Sequence, residues 1–177
     1  MLFLKNYLNN KDFRNLLRGF NLYKDLLNNK IIKYTYLHDK QYKNVSIKFH
    51  HFNFYHLTGI NYKRGSKLYK DLSDNKVNRN LLFYQKYTSW KLESLVHIAQ
   101  LLNINCVNIT ESYRGTHLEF SNLIKSKKRI LALAIDINSK GYYYCKSLLN
   151  LKHTNEYNNL KFYPIINIEV INTKEKE

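Results

Sequence analysis

The sequence predicts an α+β fold: N-terminal helices and a small β element, then an antiparallel sheet of about four strands packed on helices. Three observations carry this expectation. Apolar residues recur at spacings of three and four over 10–29 and again over 90–102. From residue 106 onward the apolar period shortens to two. The 177 residues include only five glycines and one proline, and no linker-like tract divides them. A single domain over 1–177 is expected, with 1–44 as an N-terminal helical extension and 173–177 as a flexible tail.

In the first helix, Phe13, Leu16, Leu17, Phe20, Tyr23, Leu26 and Leu27 form the apolar face and leave Lys11, Arg14, Arg18 and Lys24 outside. Ile31–Leu37 and Val45–Phe54 are rich in β-branched and aromatic residues and predict two strands. Gly59 breaks that pattern, and a short helix follows from Ser66 to Leu72. Trp90, Leu92, Leu95, Val96, Ala99 and Leu102 predict one apolar stripe on a helix over 90–102, with Ser89 as its N-cap. Cys106–Glu111 then alternates. Ile130–Ile137 is apolar on both faces apart from Asp136, as a central strand would be. Asn138-Ser139-Lys140-Gly141 turns the chain into a strand over Tyr142–Leu148, and Phe162–Ile171 forms the last strand.

Charge narrows the function. The formal net charge is +16. Residues 1–89 hold 17 basic and 5 acidic side chains, residues 90–177 hold 12 and 8, and the first glutamate is Glu93. Such a field concentrates polyanions, so RNA or another nucleic acid is the expected partner. The same Lys-, Asn-, Ile- and Tyr-rich composition also arises from AT-rich coding. No apolar run reaches the roughly 20 residues that span a bilayer, and the N-terminus lacks a secretory pattern, so a cytoplasmic protein with no membrane partner is expected. Cys106 and Cys145 have no His or Cys at ligand spacing, so no metal site and no cofactor are expected. There is neither a GxGxxG nor a Walker A sequence.

His56 stands beside Thr58 and Gly59 after an aromatic stretch. Its imidazole titrates near neutrality and suits proton transfer, although a structural histidine explains the position equally simply. His50 and His51 sit on the second predicted strand, while His38 and His153 read as surface residues. The segment Phe54-Tyr55-His56-Leu57-Thr58-Gly59-Ile60 resembles the HLxGL signature of a phage- and prophage-associated nuclease-like family. That family is grouped with the barnase–EndoU–colicin–RelE class of metal-independent ribonucleases. The downstream order is similar too: Lys91-Leu92-Glu93-Ser94-Leu95 opens a helix, and Leu131–Ala134 pairs with Tyr142–Leu149 as a hairpin. The similarity covers about residues 45–150, the expected nuclease-like core. Where the family often has Leu before the glycine, this chain has Thr58.

The resemblance implies a toxin-like endoribonuclease that uses the RNA 2′-OH as nucleophile. Such chemistry needs a base, an acid and cationic donors for the phosphorane. His56, Arg114 and His117 are the expected catalytic residues, with Arg114 a bidentate phosphate donor. Thr58, Lys91, Tyr113, Lys146 and Ser147 are the expected substrate contacts. Strict strand alternation would let only one of Lys146 and Ser147 face the site. An acidic antitoxin protein or an antitoxin RNA is an expected partner. Two other readings stay open: a non-catalytic RNA-binding protein of ribosomal or organellar type, and an inhibitor or interaction protein of a mobile element.

Overall fold

The computed structural model describes residues 6–115, 118–128 and 130–173. Helix α1 (Asn10–Leu26) leads into the hairpin β1 (Lys30–His38) and β2 (Gln41–Phe49). Then come α2 (His51–Thr58), β3 (Asn61–Tyr62), α3 (Leu68–Ser73), β4 (Leu82–Phe83) and α4 (Thr88–Leu95). The C-terminal half is β5 (Val107–Thr110), β6 (Tyr113–Arg114), β7 (Glu119–Phe120), β8 (Asn122–Ser126), β9 (Ala132–Ile137), β10 (Tyr143–Leu149) and β11 (Phe162–Asn172). No helix among the described residues is long and apolar enough to cross a membrane.

Seven strands close into a barrel in the order β1-β11-β5-β8-β9-β10-β2. This corrects the expected open sheet of about four strands. The β1–β2 hairpin is part of the barrel wall, and two long-range pairings place it there. β11 is long enough to pair with β5 through Phe162–Pro164 and with β1 from Ile165 to Asn172. On the other side β2 meets β10 in the barrel's parallel contact, Tyr143 opposite Ile47. The hairpin itself is tight because Asp39 and Lys40 both adopt positive φ (46° and 63°), the backbone of a twist-compatible two-residue turn.

Side-chain alternation explains which residues fill the barrel. Ile32, Tyr34, Val45, Ile47 and Phe49 from the hairpin meet Ile109, Ile124, Leu133, Ile135 and Leu148 in the main core. β9 is buried on both faces, as its unbroken apolar run predicts: Leu133 and Ile135 enter that core, whereas Ala132 and Ala134 pack outward against Phe120, Leu151 and Tyr157. A β-bulge interrupts β10 between Cys145 and Ser147. Cys145 and Leu148 are both buried, so Lys146 and Ser147 lie together on the partly exposed side between them. Strict alternation fails here because the bulge inserts one residue.

Two element boundaries differ from the sequence reading. The second strand stops at Phe49, because Asn53 starts α2: its Oδ1 accepts the His50 N–H at 2.8 Å while its own N–H donates to the His50 carbonyl. The helix expected over 90–102 begins at Thr88 and gives way to a 3₁₀ segment at Ile98–Leu102. That change of pitch rotates the apolar stripe. Ile98 and Leu101 are buried after the change and Ala99 is exposed; Trp90 is exposed for another reason, since within α4 it stands on the side opposite the buried Leu92. Ser89 is not the cap; its hydroxyl donates to Asp12 Oδ2 at 2.9 Å. Thr173, the only described residue of the expected tail, bonds to the Asn29 carbonyl through both N–H and hydroxyl, and 174–177 lie outside the described residues.

α1 crosses α4 at Gly19, where a Cβ would stand 2.5 Å from Leu95 Cγ. Gly19→Ala should therefore destabilise the fold by about 1–3 kcal/mol through overpacking. Leu95→Ala, which opens a cavity, should cost roughly 2–5 kcal/mol. Denaturant unfolding of both single variants and the double variant checks the contact, since the double variant should lose clearly less than the two losses added.

Candidate functional site

The site is assembled from the end of α2, the start of α4 and the bulge of β10. At the end of α2, Thr58 is fully buried; its hydroxyl donates to the Tyr55 carbonyl at 2.8 Å and accepts the Ile60 N–H at 3.2 Å. Gly59 ends the helix in the left-handed region (φ 61°), which a side chain would strain. A Cβ there would also stand 2.7 Å from Lys91 Cδ, so the lysine stem lies directly over this glycine. Thr88 joins the two helices. Its hydroxyl donates to the Gly59 carbonyl and accepts the Gln85 N–H at 2.8 Å.

These contacts deliver the Lys91 ammonium to β10, where it donates to Ser147 Oγ at 3.1 Å. Burial pushes the lysine below its ordinary value of 10.5. Among the described residues no carboxylate bonds it, and Ser147 takes only one of its three donors. Lys146, next in chain, turns instead to Asp136, 2.8 Å away. Burial alone would raise the Asp136 carboxyl, but Lys146, Ser121 and the Ile137 N–H together hold it below its usual range.

Lys91 and Ser147 line a cleft of about 450 Å³. Aromatic rings form much of its wall. Trp90 stacks on His153 with centroids 4.5 Å apart and planes 9° from parallel, and Tyr87 lies 5.5 Å from the Trp90 ring. Tyr157 closes another side, and Lys86 stands at the rim, 5.1 Å from the Tyr87 ring. Ser94 fixes α4 to the sheet: its buried hydroxyl lies 2.7 Å from the Ile130 carbonyl and 3.2 Å from that of Leu149. Behind the wall, Glu93 is a hub, bonded by Lys11 at 3.0 Å and by Asn150 Nδ2 at 3.4 Å, with His153 Nε2 3.6 Å away. Among the described residues, no three His, Cys, Asp or Glu side chains are grouped to hold a metal ion.

Of the residues singled out in the sequence, the structure brings together Lys91 and Ser147. Tyr113 supports the cleft from behind, its hydroxyl donating to Glu156 at 3.0 Å and its ring 5.4 Å from Tyr157. His56 is exposed on α2, its ring 5.8 Å from that of Tyr55, and does not line the cleft. Arg114 is exposed on the β6–β7 ribbon, also outside the lining. His117 lies outside the described residues. Thr58 is buried, and both hydrogen bonds of its hydroxyl stay within the α2 C-cap. Trp90 is the residue the sequence reading misplaced, as core; His153 is exposed, as expected, and also lines the cleft. The available signal was Lys86-Tyr87 followed by Trp90 and Lys91, a basic and aromatic cluster at a helix start.

The model of the family described as phage-Barnase-EndoU-ColicinE5/D-RelE like nuclease4 matches residues 15–177. The chain belongs to that family. The match confirms the resemblance carried by the HLTG segment and extends it to nearly the whole chain. It makes this a nuclease-like protein of the barnase–EndoU–colicin–RelE type, with nucleic acid as its implied substrate. No curated protein and no solved structure matched the chain.

In this nuclease-family member the cleft offers a desolvated cation, a hydroxyl, an imidazole and stacking surfaces within one concave site, a set suited to a nucleotide. The Glu93 hub gives a pH signature. Burial alone would raise its carboxyl, but the hydrogen bonds and charges of Lys11 and His153 outweigh burial and hold it below the ordinary 4.5. The folded state then binds fewer protons than the unfolded chain, so this stabilisation is complete above the ordinary value and vanishes as pH falls through the lowered one. Glu93→Gln should lower the melting temperature at neutral pH, and its curve should converge on wild type in acid, once the pH has fallen through the lowered value. Melting curves across pH check this; a gap that persists in acid would assign the loss to packing.

Proposed function

We propose that the protein is a metal-independent endoribonuclease whose active site is the cleft between α4 and β10. The observation that carries this reading is the partly desolvated Lys91 ammonium, held by Ser147 against the wall of an aromatic cleft in a protein of net charge +16. An ammonium with unmatched donors seeks an anion, and a phosphate diester flanked by stackable bases supplies both interactions.

In this reading the RNA 2′-OH attacks the adjacent phosphorus, and the 5′-oxygen leaves. The products are a 2′,3′-cyclic phosphate and a free 5′-hydroxyl. Lys91 neutralises the phosphorane, and its weakened hold on a proton suits it to protonate the departing 5′-oxygen. Ser147 orients the ammonium. Proton abstraction from the 2′-OH is assigned to His153, which lines the cleft, in preference to His56, which does not. Glu93, 3.6 Å from His153 Nε2, orients that ring. Trp90 and Tyr87 stack a base, while Arg114 and the basic first half of the chain draw RNA in.

Lys91→Met keeps an unbranched stem over Gly59 and removes the ammonium with its hydrogen bond to Ser147. It should lower cleavage of a labelled mixed RNA in EDTA by about 100-fold or more while circular dichroism stays unchanged. Equal cleavage by wild type and Lys91→Met would overturn the assignment, as would activity that EDTA abolishes. Binding of RNA without cleavage by either protein would favour the non-catalytic RNA-binding reading.

A further inference from the structure

A second depression of about 640 Å³ adjoins the cleft and shares Lys86 and Trp90 with it. Its chemistry differs from that of the cleft. Asn9, Gln85 and Ser89 line it, with the Tyr84 hydroxyl as a rigid wall. The rigidity has a visible source. Asp12, 1% exposed at the start of α1, accepts the Tyr84 hydroxyl at 2.6 Å and the Ser89 hydroxyl at 2.9 Å on one carboxylate oxygen. Tyr84 Oη also accepts the Asn9 N–H at 3.2 Å, and Asn9 Oδ1 accepts the Asp12 N–H at 2.7 Å.

This lattice consumes some polar atoms and leaves others fixed in place. The Asn9 amide is locked through its oxygen, and its NH₂ bonds nothing among the described residues. Ser89 has spent its donor and keeps acceptor lone pairs. The Gln85 side chain is exposed and makes no hydrogen bond to the described residues, because the Thr88 contact uses its backbone N–H. One fixed amide, Asn9, and one unengaged amide, Gln85, beside a stacking ring suit the hydrogen-bonding edge of an unpaired base, and amides pair well with bases that offer a donor and an acceptor side by side.

We propose that this depression is a base-reading subsite: with one nucleotide in the cleft against Trp90, the neighbouring base of the same single strand lies beyond the Lys86–Trp90 ridge and is selected by Gln85 and Asn9. The proposal rests on the assignment of the cleft to RNA. It predicts that sequence preference resides at one position flanking the stacked nucleotide, and that Gln85 sets it.

Binding of 2′-O-methyl RNA octamers, varied to each of the four bases at each position, tests the subsite without cleavage, by fluorescence anisotropy. The wild type should show about tenfold discrimination at one position, the size expected for one amide–base contact. Gln85→Ala should reduce that discrimination to within about twofold; its side chain carries no structural bond, so the variant folds. Equal binding of all four bases at every position would overturn the subsite, as would discrimination that survives in Gln85→Ala. The unmodified octamers separate the two claims. Discrimination in binding with no cleavage would overturn the nuclease assignment and leave the subsite. Cleavage without discrimination would do the reverse, and no binding to any octamer would overturn both.

Discussion

The placement of one charged side chain organises this molecule's functional end. Lys91 carries an ammonium into a partly desolvated position, an arrangement that costs free energy unless the charge is matched. Four local features make the placement possible. Gly59 has no side chain to obstruct the lysine stem, Thr88 ties the α2 carboxyl end to the first turn of α4, Ser94 pins α4 to the sheet, and Ser147 receives the ammonium. They come from three chain segments, the end of α2, α4 and β10. The Lys91 donors that no described residue uses suit an anion.

The barrel serves this site by fixing β10. Antiparallel pairing with β9 and the parallel contact with β2 hold the strand on both sides, and the bulge at Lys146 and Ser147 lets neighbouring residues share one face. Their ionic fates then diverge. Lys146 is neutralised by Asp136, while Lys91 has no acidic partner among the described residues. A count of basic residues cannot separate the two, although they differ most in what they can do to a phosphate.

Local pattern made much of this legible. α1, the strands β1 and β2, β9 on both faces, β10 and β11 follow from apolar period and residue type, and the HLTG segment points to the family. What escaped was long-range. Barrel closure depends on β11 bridging β5 and β1 and on a single parallel contact between β2 and β10, and no local periodicity encodes such pairings. The site was legible only in part. The sequence reading placed Trp90 in the buried stripe, yet in the regular turns of α4 it stands on the side of the helix opposite Leu92, two residues on. His56 drew attention because it lies in the motif, yet the motif's work is a helix end: Thr58 closes the cap and Gly59 makes room for Lys91.

Trp90 is the only tryptophan in the chain, stacked on His153 and still 39% exposed at the cleft. Its emission is therefore a direct reporter of occupancy. Titration with an uncleavable 2′-O-methyl RNA, followed in parallel by Trp90 fluorescence and by anisotropy of the labelled RNA, tests the central claim that nucleic acid enters this cleft. The account predicts saturable quenching with the same midpoint as the anisotropy change, weakened steeply by salt and by Lys91→Met. RNA that binds by anisotropy while Trp90 emission stays unchanged would place the nucleic acid elsewhere on the protein and contradict the account.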